Sequence, residues 1–349
     1  MKIAVLGDVH IGARTDSQIF NEYFLQFFEE QFIPYLLENK ITTVIQLGDI
    51  FDRRKFVNFQ ILNTWKRRIF DVLRDKGIEI YILLGNHDVY YRNTNEVNSP
   101  RLLLGEYSNI KLIETPTELK FGTVKTLLMP WITYSTYQDS VDLLNRTKCS
   151  IIMGHFDIQG FEMYRGHVST EGLTEDIFSK FKAVYSGHYH TMSNRGNISY
   201  LGIPYEITWM DWNDPKGFHL WDTASGAMQF ISNPLKIFHK VYYDDSKEQV
   251  FDFEKYTNTY VKVVVVNKKN IYMFDKFMSE LYSVNPADLK IIENVADYDS
   301  NDLSEEIEIE DTKSLMSAYV DGMEIAEDKE RIKEILNTLF VEALQVEEA

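Results

Sequence analysis

The stretch KIAVLGDVH, residues 2–10, sets an apolar strand, a glycine and two side chains able to bind metal in direct succession. The same order returns in TTVIQLGDIFD at 42–52 and in IEIYILLGNHD at 78–88. Between the three lie stretches with helix-like spacing of apolar residues, at roughly 16–38 and 57–75. Strands alternating with helices predict an α/β fold with a largely parallel sheet. In such a sheet ligands gather beyond the carboxyl ends of the strands, so the three polar loops are expected to converge on one crevice.

From residue 118 the strand-like runs crowd together: TVKTLLMP, CSIIMGH, AVYSGHYH, NISYLG, GFHLWD and AMQFI. They predict a second, more mixed sheet packed on the first, with helices outside. Past Tyr242 the pattern changes to TYVKVVVVN, a helical MFDKFMSELYSV and DLKIIENV, which reads as a small β-α-β unit. Residues 297–311 carry eight acidic residues and no basic one, the composition of a solvated linker. Beyond it Ile332, Ile335, Leu336, Leu339, Phe340 and Leu344 recur at helical spacing, a face for the chain's own domain or for a partner. The expected units are therefore a large domain over 1–243, a small domain over 244–298, a linker over 299–311 and a helical tail over 312–349.

The formal net charge of -17 argues at first against a phosphate-rich partner. Yet residues 297–349 hold 17 Asp and Glu against 4 Lys and Arg, which leaves 36 acidic and 32 basic residues for 1–296. The body of the chain is close to neutral, and Arg53, Arg54, Lys55, Arg67, Arg68 and Arg92 lie near the polar loops in sequence. The one cysteine, Cys149, excludes a disulfide framework and a thiolate zinc site, and reads as a small core residue. With no signal-like start and no apolar run of spanning length, the sequence predicts a cytoplasmic protein with no membrane segment.

The chemistry lies at the strand ends. In GDVH, Asp8 and His10 fall on one side of an extended chain and can hold one cation together. Asp49 in GDIFD has two carboxylate oxygens and can bridge a pair of cations. Asn86 in GNHD offers a neutral, hard amide oxygen, and His155 in MGHFD with His188 and His190 in SGHYH completes the set. Imidazole, carboxylate and amide donors without thiolate point to two divalent metal ions, most naturally manganese, with iron or zinc as other choices. Of the remaining histidines, His167 reads as a loop residue, and His219 and His239 as structural residues on strands.

The series GDVH, GDIFD, GNHD, GHFD and GHYH resembles that of the calcineurin-like metallophosphoesterases. With MPW at 129–131, the small unit after 245 and the helical tail, it is most similar to the SbcD-type DNA nuclease subunits, in particular their tailed-phage recombination branch. That resemblance implies a four-layer αββα sandwich with a small α+β capping domain and a helical C-terminal tail. It implies a homodimer acting on DNA with an SbcC-like ABC-type ATPase subunit bound through the C-terminal helices, in recombination and repair. It assigns Asp8, His10 and His190 to one metal, and Asn86, His155 and His188 to the other, with Asp49 between them. His87 is then catalytic without being a ligand, stabilising or protonating the reacting phosphate. The cellular nucleases commonly carry a second histidine where this chain has Asp52, so Asp52 is expected to orient His10 or His87. A homodimer contact is expected along the helix near Phe56, Phe59, Trp65, Ile69 and Leu73. The alternative on the same motifs is a phosphatase or a cyclic-nucleotide phosphodiesterase. Serine/threonine phosphatases have GNHE where this chain has GNHD and lack the final histidine of GHYH, and cyclic-nucleotide enzymes generally lack the appendages.

Overall fold

The computed structural model describes residues 1–164, 167–170 and 172–293, with residues 320, 329 and 331–333 beyond them. The acidic linker and most of the helical tail lie outside the described residues.

Two six-stranded sheets form the centre. The first contains β1 (Lys2–Leu6), β2 (Thr43–Gln46), β3 (Glu79–Leu83), β4 (Ile110–Ile113), β13 (Gly217–Asp222) and β14 (Met228–Ser232), in the order β14-β13-β1-β2-β3-β4. The second contains β5 (Thr117–Phe121), β6 (Val124–Met129), β7 (Ile151–His155), β10 (Ala183–Gly187), β11 (Ser193–Arg195) and β12 (Ile198–Tyr200), in the order β11-β12-β10-β7-β6-β5. A two-stranded hairpin, β8 (Glu162–Tyr164) and β9 (His167–Val168), interrupts the second half.

Strand alternation explains the layering. Ile3, Val5, Ile45 and Leu83 point between the sheets, where they meet Leu128, Ile151, Met153 and Trp221. Their neighbours Ala4, Leu6, Val44, Ile80 and Ile82 point the other way, onto the helical run from Gln18 to Glu38 and that from Phe59 to Asp75. A strand buried on both faces must be apolar at every position, which is why the parallel strands read as unbroken apolar runs. On the far side Leu127, Ile152 and Val184 pack beneath Leu144 of the helix Tyr137–Arg146. The result is an αββα sandwich.

Two expectations are corrected. GFHLWD and AMQFI, expected in the second sheet, are β13 and β14 and join the first, β13 running antiparallel to β1. Phe218 of β13 meets the ring of Phe32 at 4.9 Å under the helices, while Trp221 points between the sheets. A strand with both faces apolar fits either sheet, and its composition does not say which. The small sheet also starts earlier than residue 244: β15 (Phe238–Asp244), β16 (Tyr260–Asn267) and β17 (Asp288–Ile292) run parallel, backed by the helix Ile271–Ser283. Buried Glu206 accepts from the backbone N–H groups of Ile237 and Phe238 at 2.9 and 3.0 Å, tying this sheet to the large domain. No helix among the described residues is long and apolar enough to cross a membrane.

Candidate metal centre

All seven expected ligands stand just beyond, or at, the carboxyl ends of β1, β2, β3, β7 and β10, so both sheets contribute. Asp8, His10, Asp49, Asn86 and His155 are buried, and His188 and His190 partly so. Nε2 of His10 lies 3.2 Å from Nε2 of His190 and 4.0 Å from the Asp8 carboxylate. Nε2 of His155 lies 2.8 Å from Oδ1 of Asn86 and 3.3 Å from Oδ2 of Asp49. Three groups have donor atoms within 4.8 Å of one another: Asp8, His10 and His190; Asp49, His155 and His188; and His10, Asp52 and His87. Paired imidazole nitrogens facing each other at 3.2 Å with a carboxylate beside them suit a cation better than a hydrogen bond between two rings. The donor set therefore fits two divalent metal ions.

The backbone is shaped to bring these groups together. His10, Asp49 and His188 have φ of 52°, 54° and 90°, the left-handed region that non-glycine residues occupy at some cost. Gly48 has φ +104°, and a Cβ there would stand 2.6 Å from Nδ1 of His155. At Gly187 a Cβ would stand 2.6 Å from a carboxylate oxygen of Asp8. Only glycine lets the loops of the two sheets close this tightly.

Hydrogen bonds set the ring orientations. Nδ1 of His155 donates to the Leu47 carbonyl at 2.9 Å, which leaves Nε2 with its lone pair for the centre. The Asp8 carboxylate accepts from the backbone N–H of His188, with both oxygens at 3.1 Å. Asp52 serves two rings: its carboxylate lies 3.2 Å from Nδ1 of His10, and its carbonyl accepts from Nδ1 of His87 at 2.5 Å. The His87 backbone N–H donates to Asp49 at 2.7 Å.

Several participants escaped the sequence reading. Asp88, fully buried, accepts from the backbone N–H groups of Gly85 and Asp49 at 2.8 Å, Ile50 at 3.0 Å and Phe51 at 3.2 Å, so one carboxylate holds the second and third loops together. The last letter of GNHD was its only signal. The Trp131 ring of MPW lies 5.8 Å from His155 and 5.3 Å from His188. Buried Lys216 donates to the His190 carbonyl at 2.9 Å and pairs with Asp211 at 2.7 Å, a contact that spacing does not announce. Arg68 is engaged elsewhere, paired with Glu22 and Glu29 on the outer helices. His219 packs on Phe230 and His239 on Tyr256; the side chain of His167 is outside the described residues.

Charge crowding perturbs the cluster. Burial pushes the Asp8 carboxyl up to about 6, against the pull of His155, and burial with the nearby Asp49 charge pushes Asp88 up to about 7. Burial acts against protonation of His10 and His155, but Asp52 and the carboxylates Asp49 and Asp8 respectively win and raise both to about 9. Burial, reinforced by His10, lowers His190 to about 3. Burial acts to raise Asp49, but the neighbouring imidazoles His155 and His87 hold it well below the usual carboxylate range.

The family model described as calcineurin-like phosphoesterase matches residues 1–192. The chain is 33% identical over 348 residues to exonuclease subunit 1 of Enterobacteria phage T4, covering 99% of this chain and 100% of that one. It is 25% identical over 196 residues to the DNA double-strand break repair protein Mre11 of Sulfolobus acidocaldarius, covering 55% of this chain and 50% of the relative. Among solved structures, an archaeal phosphodiesterase shares 12% identity at a TM-score of 0.32, over 67% of this chain and 100% of that one, a likeness that decides nothing further.

Proposed function

Because this chain belongs to the calcineurin-like phosphoesterases and is a metal-dependent hydrolase, we propose that it is the nuclease subunit of an SbcCD-type complex, a manganese-dependent DNA exonuclease and endonuclease. The observation that carries the nuclease reading is the likeness to a phage exonuclease subunit over 99% of the chain, well past residue 192 where the family match ends. It takes in the small sheet and the C-terminal residues, which a phosphatase or a cyclic-nucleotide enzyme on the same core would not need.

In this reading Asp8, His10 and His190 hold one cation, Asn86, His155 and His188 the other, and Asp49 lies between them. Bound there, two divalent cations would supply activation of a water molecule and neutralisation of charge developing on the phosphate. The neutral amide of Asn86 among imidazoles and carboxylates favours manganese. The protein's own part is orientation and proton transfer. With Nδ1–H of His87 given to the Asp52 carbonyl, Nε2 carries a proton only in the imidazolium form, and from that form it can deliver this proton to the leaving sugar oxygen and remain as a neutral ring. Asp52 acts as a positioning residue, through its carboxylate on His10 and its carbonyl on His87.

The partner assignments are an SbcC-like ATPase bound by residues 312–349 and a homodimer in the host cytoplasm. Phe56 and Phe59, 70% and 83% exposed at the head of the second helical run, support the dimer, while Trp65, Ile69 and Leu73 are buried in the core of the chain itself. The test is degradation of linear duplex and single-stranded DNA by the purified chain with manganese, with and without the ATPase. Hydrolysis of phosphoproteins or cyclic nucleotides, with DNA left intact, would overturn the assignment.

A further inference from the structure

Three loops leave the metal centre in a common pattern. Asp52, His87 and Trp131 each touch its imidazoles, His87 through its ring edge-to-face with His10 at 4.9 Å, and three residues further on stand Lys55, Tyr90 and Tyr134. Three extended residues span at most about 11 Å, roughly the reach of one or two nucleotides. The loops are fastened to each other. Lys55 Nζ lies 5.6 Å over the Tyr90 ring, Tyr90 and Tyr91 meet edge to face at 4.7 Å, Ser135 N–H donates to the Asn93 carbonyl at 3.1 Å, and Asn95 donates to the Trp131 carbonyl at 3.0 Å. On this rim Tyr90, Tyr91 and Tyr134 are 38%, 45% and 89% exposed.

An exposed tyrosine alone means little in a chain with 21 of them. The charge around these is the second observation. Residues 53–58 (RRKFVN), 89–95 (VYYRNTN) and 131–136 (WITYST) contain Arg53, Arg54, Lys55 and Arg92 and no acidic residue, in a chain with 53 acidic residues against 36 basic. Arg53 is paired with Asp16, and Lys55 and Arg92 are exposed. Exposed aromatic rings with the exposed cations Lys55 and Arg92 beside them match a strand that presents both phosphates and open base faces. Paired bases inside a duplex are stacked on each other and offer a tyrosine only their edges, with a single face open at each blunt end, whereas each base of an unpaired strand can stack on an aromatic ring without regard to sequence.

We propose that Tyr90, Tyr91 and Tyr134, with Lys55 and Arg92, form a stacking platform for unpaired nucleic acid, so that the centre receives a single strand or a frayed duplex end. This rests on the nuclease reading and adds to it the form of the substrate. The test uses the full metal-loaded chain and fluorescent oligonucleotides with phosphorothioate linkages, which resist hydrolysis. Anisotropy compares a single strand, a duplex with an unpaired tail and a blunt duplex. The wild type binds the first two more tightly than the third. Tyr90→Ala with Tyr91→Ala, and separately Tyr134→Ala, weaken single-strand binding by ~10-fold, and the Phe variants restore it. Blunt-duplex binding changes by less than about 2-fold, a loss too small for a stacked base. Unchanged single-strand affinity in the Ala variants overturns the platform, and so does an equal loss for all three DNAs. Loss of ATPase binding with DNA affinity intact would make the rim a protein interface and also overturn it. A wild type that neither binds nor degrades any DNA instead defeats the nuclease reading on which the platform stands.

Discussion

Asp52 and His87 show how much of the site depends on the second atom a residue presents. The Asp52 carbonyl fixes the His87 ring while its carboxylate faces His10, so replacing the side chain removes only one of the two contacts. We expect Asp52→Ala to lower activity less than His87→Ala. His87→Ala should cost about 100-fold or more in hydrolysis, the usual scale of a lost proton donor, while isothermal titration still finds two manganese sites. Loss of a metal site in that variant would make His87 a ligand. Asp88→Asn is a harsher change than its shape suggests. An amide oxygen replaces a carboxylate that accepts four backbone N–H groups, and an NH2 is turned toward donors. Destabilisation of about 3 kcal/mol by chemical denaturation is expected, with manganese affinity falling alongside. The candidate ligands were legible from sequence because each follows an apolar run and a glycine; the role of Asp88 was not, because bonds to main-chain donors leave no pattern in residue type.

At the scale of strands and helices, what could be read was periodicity, and what could not was destination. KIAVLG and TTVIQLG are buried on both faces and announce themselves, but Gly217–Asp222 is equally apolar and returns to the first sheet, a choice made by Phe218 and Trp221 finding room there. β4 and the hairpin β8–β9 are short and bear no glycine-led loop of ligands, so they passed unnoticed. His219 on β13 gives this strand a measurable signature. Burial holds its imidazole at about 4, so it stays neutral in the folded chain while an unfolded chain takes up a proton near 6.5. Stability is then full above about pH 6.5 and declines as pH falls toward 4, by up to about 3 kcal/mol from this residue. His219→Gln should flatten that part of the melting-temperature profile; a profile identical to wild type would show that the strand opens before the ring titrates.

The chain divides its charge unevenly: residues 297–349 carry 17 acidic and 4 basic residues, and the remainder is nearly balanced. Deleting 312–349 should leave hydrolysis of a small diester intact and abolish stimulation by the ATPase with ATP; stimulation that survives would move the docking site elsewhere. Sedimentation at micromolar concentration should give a dimer, and Phe56→Ser with Phe59→Ser a monomer. The candidate ligands are drawn from two sheets. Cations held jointly by the β1–β3 loops and by β7 and β10 would act as a further non-covalent cross-link between the layers, added to the apolar core and to hydrogen bonds such as that from His155 to the Leu47 carbonyl. Parting the sheets must release the ions, so resistance to heat becomes a titration curve. It rises with free manganese and gains about 2.7 kcal/mol per site at a hundred times the dissociation constant, and a chelator takes all of it away.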